Sequence, residues 1–543
     1  MVRHILACAA IALCASLSHA SEMEAAKAYQ DKHFRQAASL YLQEFDKAPN
    51  AALLYNAACS FALAGERDNA ISTLTRAIEE GWVEAEHTAA DTDFDSLKGD
   101  PRWPGLIDAM RQKQVLEARL YNSPALASGY TESLTEDEKI AGLSKVWSEV
   151  KYNFVYTATL KKLDWDKLYL DYIPKVRATR STAEYYRVLT ELIARLQDGH
   201  TNVYPPEQLW DKVWARPLMR TMPVEGRVFV ESVFSPELEA RGIVPGLEVT
   251  EVDGMPVAAY IARDLAPYQS ASTPQDLERR THAYSFLSGD AEKTVKVTFV
   301  GKSGKRFTAD IARVPLSQWR KSAPRTEPFV MKMLPGGVAY VALNGFGDQQ
   351  AADGFMAAWP QIRKARALVI DVRANGGGNS DVGYRVLGTL TDKPFTTTKW
   401  STREYHPAFR AWGRPARMFA EGAGQWKADG ERLFKGPVAV LTSSATYSAA
   451  EDFALAFDNM KRGAIIGEPT GGSTGQPLFF RLPGGGQARV CTKQDTYPDG
   501  RPFVGVGIQP SILVRPTVAD LRKSKDTVLD AALAYLSATL RSK

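Results

Sequence analysis

The chain has 543 residues, an ordinary balance of apolar (45%) and charged (24%) residues, and a formal net charge of +5. Single hydrophobic cores rarely grow past roughly 250–300 residues, so several domains are expected. So small a charge on so long a chain gives no ground for a nucleic-acid or membrane-surface role.

Residues 1–20 read as a secretion signal. Arg3 and His4 give a basic start, Ile5 to Leu17 an apolar run, and Ala20 ends a short cleavage-type segment. The run is too short to cross a membrane, and no later apolar stretch reaches spanning length. The expected location is the periplasm or the exterior. Cys8 and Cys14 would leave with the signal. Cys59 and Cys491 lie far apart and do not indicate a disulfide. No His/Cys cluster has metal-ligand spacing, so neither metal nor cofactor is expected.

Residues 21–112 read as a tetratricopeptide-like helical domain, within which residues 22–82 show a weak internal repeat. Ala37 and Ala70 recur at matching places, and Ala57, Ala58 and Gly65 fall where a tetratricopeptide-like helix pair needs close contact and a turn. The segment reads either as a docking module for a protein partner or as a helical packing extension. Residues 113–134, with Asn122-Ser-Pro-Ala and Ser128-Gly, read as a linker.

Residues 135–215 read as the helical start of a larger core. Thr135-Glu-Asp-Glu138 opens a helix whose apolar face is Ile140, Leu143, Val146, Trp147 and Val150. A second helix follows Ser181, with Tyr185, Leu189, Leu192, Ile193 and Leu196 on one face. Gly199 is expected to end it, which leaves His200 on a tight loop just past a rigid element. Residues 216–318 form a small β-rich segment with an Asp253-Gly254 turn.

From residue 319 to 540 the pattern is α/β. Ala367–Val372 is a continuously apolar strand that runs into Arg373-Ala-Asn-Gly-Gly-Gly378. Three glycines there let backbone approach a ligand and aim amides at it. A nucleotide loop is disfavoured, because no Lys-Ser/Thr follows the glycines. The next strand, Val438–Leu441, leads to Ser443-Ser-Ala-Thr-Tyr-Ser448, and Phe453, Ala454, Ala456 and Phe457 follow at helical spacing. Ser448 therefore sits where a helix begins. It can cap that helix reciprocally with Glu451, or it can act as a nucleophile whose oxyanion meets the free amide of Ala449.

Several segments together resemble the C-terminal processing (tail-specific) protease family, in its histidine-using, tricorn-like branch. They are Leu-Gln-Asp-Gly-His-Thr at 196–201, Ile-Asp-Val-Arg-Ala-Asn-Gly-Gly-Gly at 370–378, Thr-Tyr-Ser-Ala-Ala-Glu at 446–451, Ile-Gly-Glu-Pro-Thr-Gly-Gly at 466–472, and Gly505-Val-Gly-Ile-Gln-Pro510. The resemblance covers residues 135–540 and implies that 216–318 is an inserted PDZ-like domain. It further implies Ser448 as nucleophile, His200 as general base, and an oxyanion hole from the amides of Ala449 and Gly377. Ser473 stands where the Ser-Lys branch carries its lysine, and a serine cannot serve as an amine base. Val504 stands where tricorn-like relatives carry a glutamate. Asp499, Glu451 and Ser473 are left as candidates for the group that orients the imidazole.

The expectation is a serine endopeptidase acting on polypeptides through an acyl-enzyme. Two alternatives stand beside it. One is a non-catalytic peptide- or small-ligand-binding protein on a protease-like fold. The other is an esterase or amidase using the same constellation.

Overall fold

The computed structural model describes residues 24–121 and 123–542. The expected secretion signal lies outside the described residues. The chain divides into two compact units, Met1–Pro124 and Ala125–Lys543.

The first unit is helical. Phe34–Lys47, Ala51–Leu63 and Arg67–Glu79 follow one another, and Trp103–Tyr121 is its longest helix. Ala37, Ala57, Ala58 and Ala70 are fully buried, so small side chains mark the close helix contacts as their spacing suggests. Gly65, at φ +76°, makes the turn between the second and third helices. Trp103–Tyr121 runs past residue 112, where the linker was expected to begin. Cys59, Asp91 and Asp93 bring ligand-type atoms together in this unit. Tyr55 donates to Asp91 at 2.5 Å and Tyr29 donates to Asp93, so both carboxylates are engaged by tyrosines.

The second unit is built on a six-stranded sheet. Its order is Ile512–Leu513, Gly463–Gly467, Val438–Thr442, Ala367–Asp371, Val338–Leu343, Phe329–Leu334. All neighbours are parallel except the last pair. Ala367–Asp371 and Val438–Thr442 are buried throughout, as strands apolar up to their last residue, Asp371 or Thr442, should be in a sheet covered on both faces. Asp371 pairs with Leu441, so these two strands end side by side. That register sets the glycine-rich turn after one strand against the serine turn after the other. Helix Ala449–Met460 packs Phe453 and Phe457, both fully buried, into the main core. Each contributes about 1.5–3 kcal/mol by leaving water.

The segment preceding the sheet is helical, as its periodicity indicates. Glu136–Asn153 begins with a capping box between Thr135 and Glu138. Helix Thr182–Ala194 is capped by Ser181 and packs Leu189, Leu192 and Ile193 with Phe480, Leu482 and Val490. In the chain between these helices and the main sheet comes an antiparallel six-stranded sheet: Met219–Val224, Arg227–Val233, Glu248–Val252, Val295–Val300 and Arg306–Ile311 in order, with short Met255–Pro256 paired to Glu248–Val252. It has its own core around Val228, Val249, Val297 and Phe299. Cys59 and Cys491 are both buried free thiols. Among the described residues no helix is long and apolar enough to cross a membrane.

Candidate active site

Ser448 lies between strand Val438–Thr442 and helix Ala449–Met460, at φ 56° and ψ −126°. A non-glycine residue held there stores strain of order 1–3 kcal/mol, which the surrounding contacts must offset. Those contacts are many. Ser448 N–H is shared between Ser473 O (3.1 Å) and Glu451 Oε2 (3.2 Å), and Tyr447 N–H donates to Asn375 O at 3.0 Å. Glu451 thus caps back onto the turn as its spacing suggests. The serine hydroxyl meanwhile reaches an imidazole: Ser448 Oγ is 3.1 Å from His200 Nε2.

His200 arrives from the other end of the core. The strand Asn202–Tyr204 pairs antiparallel with Gln487–Cys491, and Cys491 N–H donates to Thr201 Oγ1 at 3.0 Å. These contacts hold the His200 turn against the C-terminal half of the chain. The left-handed residue at this turn is Gln197 (φ 50°), not Gly199, and the helix itself stops at Ala194. Gly199 is needed for space instead: a methyl group there would collide with the Tyr447 hydroxyl. The imidazole lies nearly parallel to the Tyr447 ring, 11° apart with centroids at 5.5 Å. Burial, then Arg489 and Arg280, press the His200 pKa down to about 3, so the ring is neutral around pH 7.

The other ring nitrogen, Nδ1, lies 2.8 Å from Ser473 Oγ. Of the three candidate orienting groups, only Ser473 touches the ring. Glu451 holds the loop that carries it. Its carboxylate accepts from Thr470 Oγ1 (2.5 Å), Gly472 N–H (2.8 Å) and Ser473 N–H (2.8 Å). Burial pushes that carboxyl up to about 8, against four donors that favour its charged form. Asp499 takes no part. It is exposed in its Asp-Gly turn, where Arg501 Nε donates to it at 2.7 Å. Val504, in the place where tricorn-like relatives have an acid, packs against the main core.

Gly377, at φ +99°, lies directly against the serine, and a Cβ on it would stand 2.6 Å from Ser448 Cβ. Its amide is already committed, donating to Asn375 Oδ1 at 2.9 Å. Among the described residues the amides of Gly378 and Ala449 have no protein acceptor. The glycine turn and the helix start thus meet at the serine, with Gly377 against Ser448 and the Ala449 amide. Spacing arguments missed Tyr447 and Asp276. Tyr447 Oη donates to Asp276 Oδ2 at 3.1 Å, and Asp276 comes from the inserted β-rich segment. A tyrosine next to the serine was visible in the sequence, but nothing there tied it to a residue so distant.

Residues 337–514 match peptidase family S41, and residues 141–194 match the tricorn protease C1 domain. The chain is 25% identical over 408 residues to a tricorn protease homolog of Streptomyces coelicolor, covering 68% of this chain and 30% of that one. It is 24% identical to the carboxyl-terminal-processing protease of a Picosynechococcus strain, over 68% of this chain and 82% of the relative. The corresponding Synechocystis protease is 22% identical, over 75% and 88%. Among solved structures, mature CPAF superposes with a TM-score of 0.59 at 16% identity, covering 75% of this chain and 98% of that one. That likeness concerns the fold. The chain spans less than a third of the tricorn homolog but most of the two carboxyl-terminal-processing proteases.

Proposed function

We propose that this chain, which belongs to peptidase family S41 and is a serine-type peptidase, cleaves polypeptides through an acyl-enzyme on Ser448 with His200 as general base. The observation that carries the assignment is the 3.1 Å approach of His200 Nε2 to Ser448 Oγ, made by a strained serine at a helix N-terminus. His200 Nε2 takes the hydroxyl proton as Oγ attacks the scissile carbonyl. The oxyanion is met by the amide of Ala449 and by an amide of the Gly376–Gly378 turn. The imidazolium then protonates the leaving amine. Water, deprotonated by the same ring, releases the acyl product.

A cavity of about 650 Å³ lies next to the serine turn, though neither Ser448 nor His200 lines it. It is lined by Met219–Met222, Arg279, Tyr284, Ala374, Ser443 and Ala445, between the inserted sheet and the serine turn. The inserted β-rich segment is read as PDZ-like, presenting a sheet edge to an extended peptide. The N-terminal helices are read as a tetratricopeptide-like docking surface for a protein partner. With residues 1–20 as a secretion signal, the site of action is the periplasm or the exterior.

The test is labelling of the purified protein by a fluorophosphonate, with Ser448→Ala as control, together with turnover of a short peptide. Labelling and peptide cleavage that both vanish in the variant support the reading. A wild-type protein that takes no label would leave the non-catalytic binding alternative. Label with ester but no peptide turnover would leave the esterase alternative.

A further inference from the structure

The loops that carry His200 and Ser473 both run into one small sheet. Strand Asn202–Tyr204 begins just past His200, and strand Pro477–Arg481 begins just past the loop of Ser473. Strand Gln487–Cys491 lies between them and pairs antiparallel with each. The register sets the side chains in rows across the sheet. Asn202, Arg489 and Phe479 make one row, and Tyr204, Gln487 and Arg481 make the next. Side chains alternate between the faces of a strand, so both rows share one face. Val203, Ala488, Val490 and Phe480 take the other face, where they are buried with Leu143, Val146 and Leu189 of the helices.

The face with the two rows is open. Phe479 is 48% exposed, Arg481 and Gln487 are exposed, and Tyr204 and Arg489 are half-buried. Arg489 ties this face to the histidine turn. Its Nη2 donates to Gly199 O at 3.4 Å, and its guanidinium lies 5.6 Å from the Tyr204 ring and 5.9 Å from the Phe479 ring. The edge beside Phe479 is open as well, because Pro477–Arg481 has a single strand neighbour. Thr492 N–H donates to Gln476 O, and Leu482 N–H donates to Gly486 O. By alternation Leu478 and Phe480 bond to the neighbouring strand, and Phe479 and Arg481 turn their N–H and C=O groups outward. An extended polypeptide is the ligand that completes such an edge.

The open face ends at a cavity of about 780 Å³. Its outer row, Tyr204, Gln487 and Arg481, lines that cavity together with Trp210, Trp214 and Arg320. The two indole rings stand 5.6 Å apart at 39°, and Trp210 Nε1 donates to Pro205 O at 3.2 Å, which fixes the first of them. Indole faces and guanidinium groups both favour an aromatic ring as ligand. The cavity shares no lining residue with the one beside the serine turn. Its distance from the chemistry is bounded by the chain itself. Four residues fully extended span at most about 14 Å, so Tyr204 lies no farther than that from His200. An extended substrate advances about 3.4 Å per residue, so a side chain roughly four residues from the bond held at Ser448 reaches the cavity.

We propose that this cavity is a distal specificity subsite, which takes an aromatic side chain of the polypeptide substrate about four residues from the scissile bond while the substrate backbone pairs with the edge of Pro477–Arg481. This rests on the reading of Ser448 and His200 as nucleophile and base. The catalytic unit then selects sequence away from the cut by its own residues, on a surface built from the same strands that follow its two loops.

The experiment starts from casein digested by the full chain, whose fragments, identified by mass spectrometry, locate a cleaved bond. Peptides spanning that bond are made with Phe or Ala at each position roughly three to five residues from it, on either side. The unmodified chain should cleave one of the Phe peptides with kcat/KM about tenfold above its Ala counterpart, the scale of one well-placed aromatic contact. In the double variant Trp210→Ala/Trp214→Ala that ratio should fall to within about twofold. The ratio is internal to each protein, so a general loss of activity does not imitate the result. Equal rates on all Phe and Ala pairs in the unmodified chain would overturn the subsite, as would a preference that survives in the double variant. If the double variant does not fold, benzoylphenylalanine at the preferred position decides: bound to Ser448→Ala and irradiated, it should cross-link within residues 204–214, and cross-links elsewhere would overturn the subsite. A chain that neither cleaves casein nor takes a fluorophosphonate label would defeat the serine-peptidase reading and the subsite with it. Cleaved casein with equal peptide rates would defeat the subsite alone.

Discussion

Ser473 Oγ stands 2.8 Å from His200 Nδ1, in the place where Ser-Lys relatives would carry a catalytic amine. On the proposed mechanism that position holds the base, and His200, far away in sequence, supplies it. Ser473→Ala should lower kcat about ten- to a hundredfold with little change in KM, since it removes support for a ring that forms its charge in the transition state. Ser473→Lys should not rescue His200→Ala. An active Ser473→Lys/His200→Ala variant in steady-state assays would show that the loop already has the geometry of a Ser-Lys site.

The base itself should dominate the loss. His200→Ala should reduce kcat on the order of 10⁴-fold or more. Because burial and two arginines hold the His200 pKa at about 3, the acid limb of kcat/KM should fall well below pH 6.5. A pH–rate profile of the unmodified chain with a limb at the ordinary histidine value would contradict this placement of the ring.

Ser448 offers a separate test of strain. It holds φ 56° without being glycine. Ser448→Ala and Ser448→Gly should both be inactive, but the glycine variant should be more stable than the alanine variant by about 1 kcal/mol, because only glycine relaxes at that backbone angle. Urea unfolding of the two variants measures the difference, and equal stability would show that the turn is not strained.

Stability should also depend on pH through Glu451. Its folded pKa, about 8, lies above the unfolded carboxylate value of about 4.3. The folded state then binds the proton more tightly, so this contribution is complete below about pH 4.3 and is lost as pH rises through about 8. His200 acts in the opposite sense, because its folded pKa is depressed. Its contribution is complete above about pH 6.5 and is lost as pH falls toward 3. Glu451→Gln should flatten the alkaline decline between pH 5 and pH 9 in denaturant titrations. An unchanged slope would assign that decline to other groups.

The two compact units should divide the work. A chain beginning at Ala125 retains Ser128, whose Oγ accepts from Gly484 N–H, and Glu132, whose carbonyl accepts from Thr182 N–H. It should fold and cleave short peptides with similar kcat. Its defect should appear as a raised KM for large or partner-delivered proteins, because docking far from the chemistry contributes uniform binding. Loss of short-peptide kcat in a folded shortened chain would show that the N-terminal helices help build the site.

Local order in the sequence was enough to place the parts. Apolar runs located the two central strands, helical spacing located the helices on either side of His200 and Ser448, and the Ser448–Glu451 interval gave the helix start. These features report interactions within a few residues, which periodicity and capping chemistry encode directly. What the tertiary structure decided was contact between distant residues. Strand pairing of Asn202–Tyr204 with Gln487–Cys491 brought His200 to Ser448. The packing of residues 272–280 onto the loops at 199 and 470–473 tied the inserted segment to the turns that carry His200 and Ser473. The same packing gave Gly199 a spatial role where its position suggested a helix end, and left Asp499 in solvent. Hydroxyls and carboxylates follow no period, and their partners are chosen only when the loops that carry them are pressed together. For that reason Ser448, His200 and Ser473 could be picked out from local pattern and resemblance, whereas the contacts that the segment 272–280 makes with their loops could not.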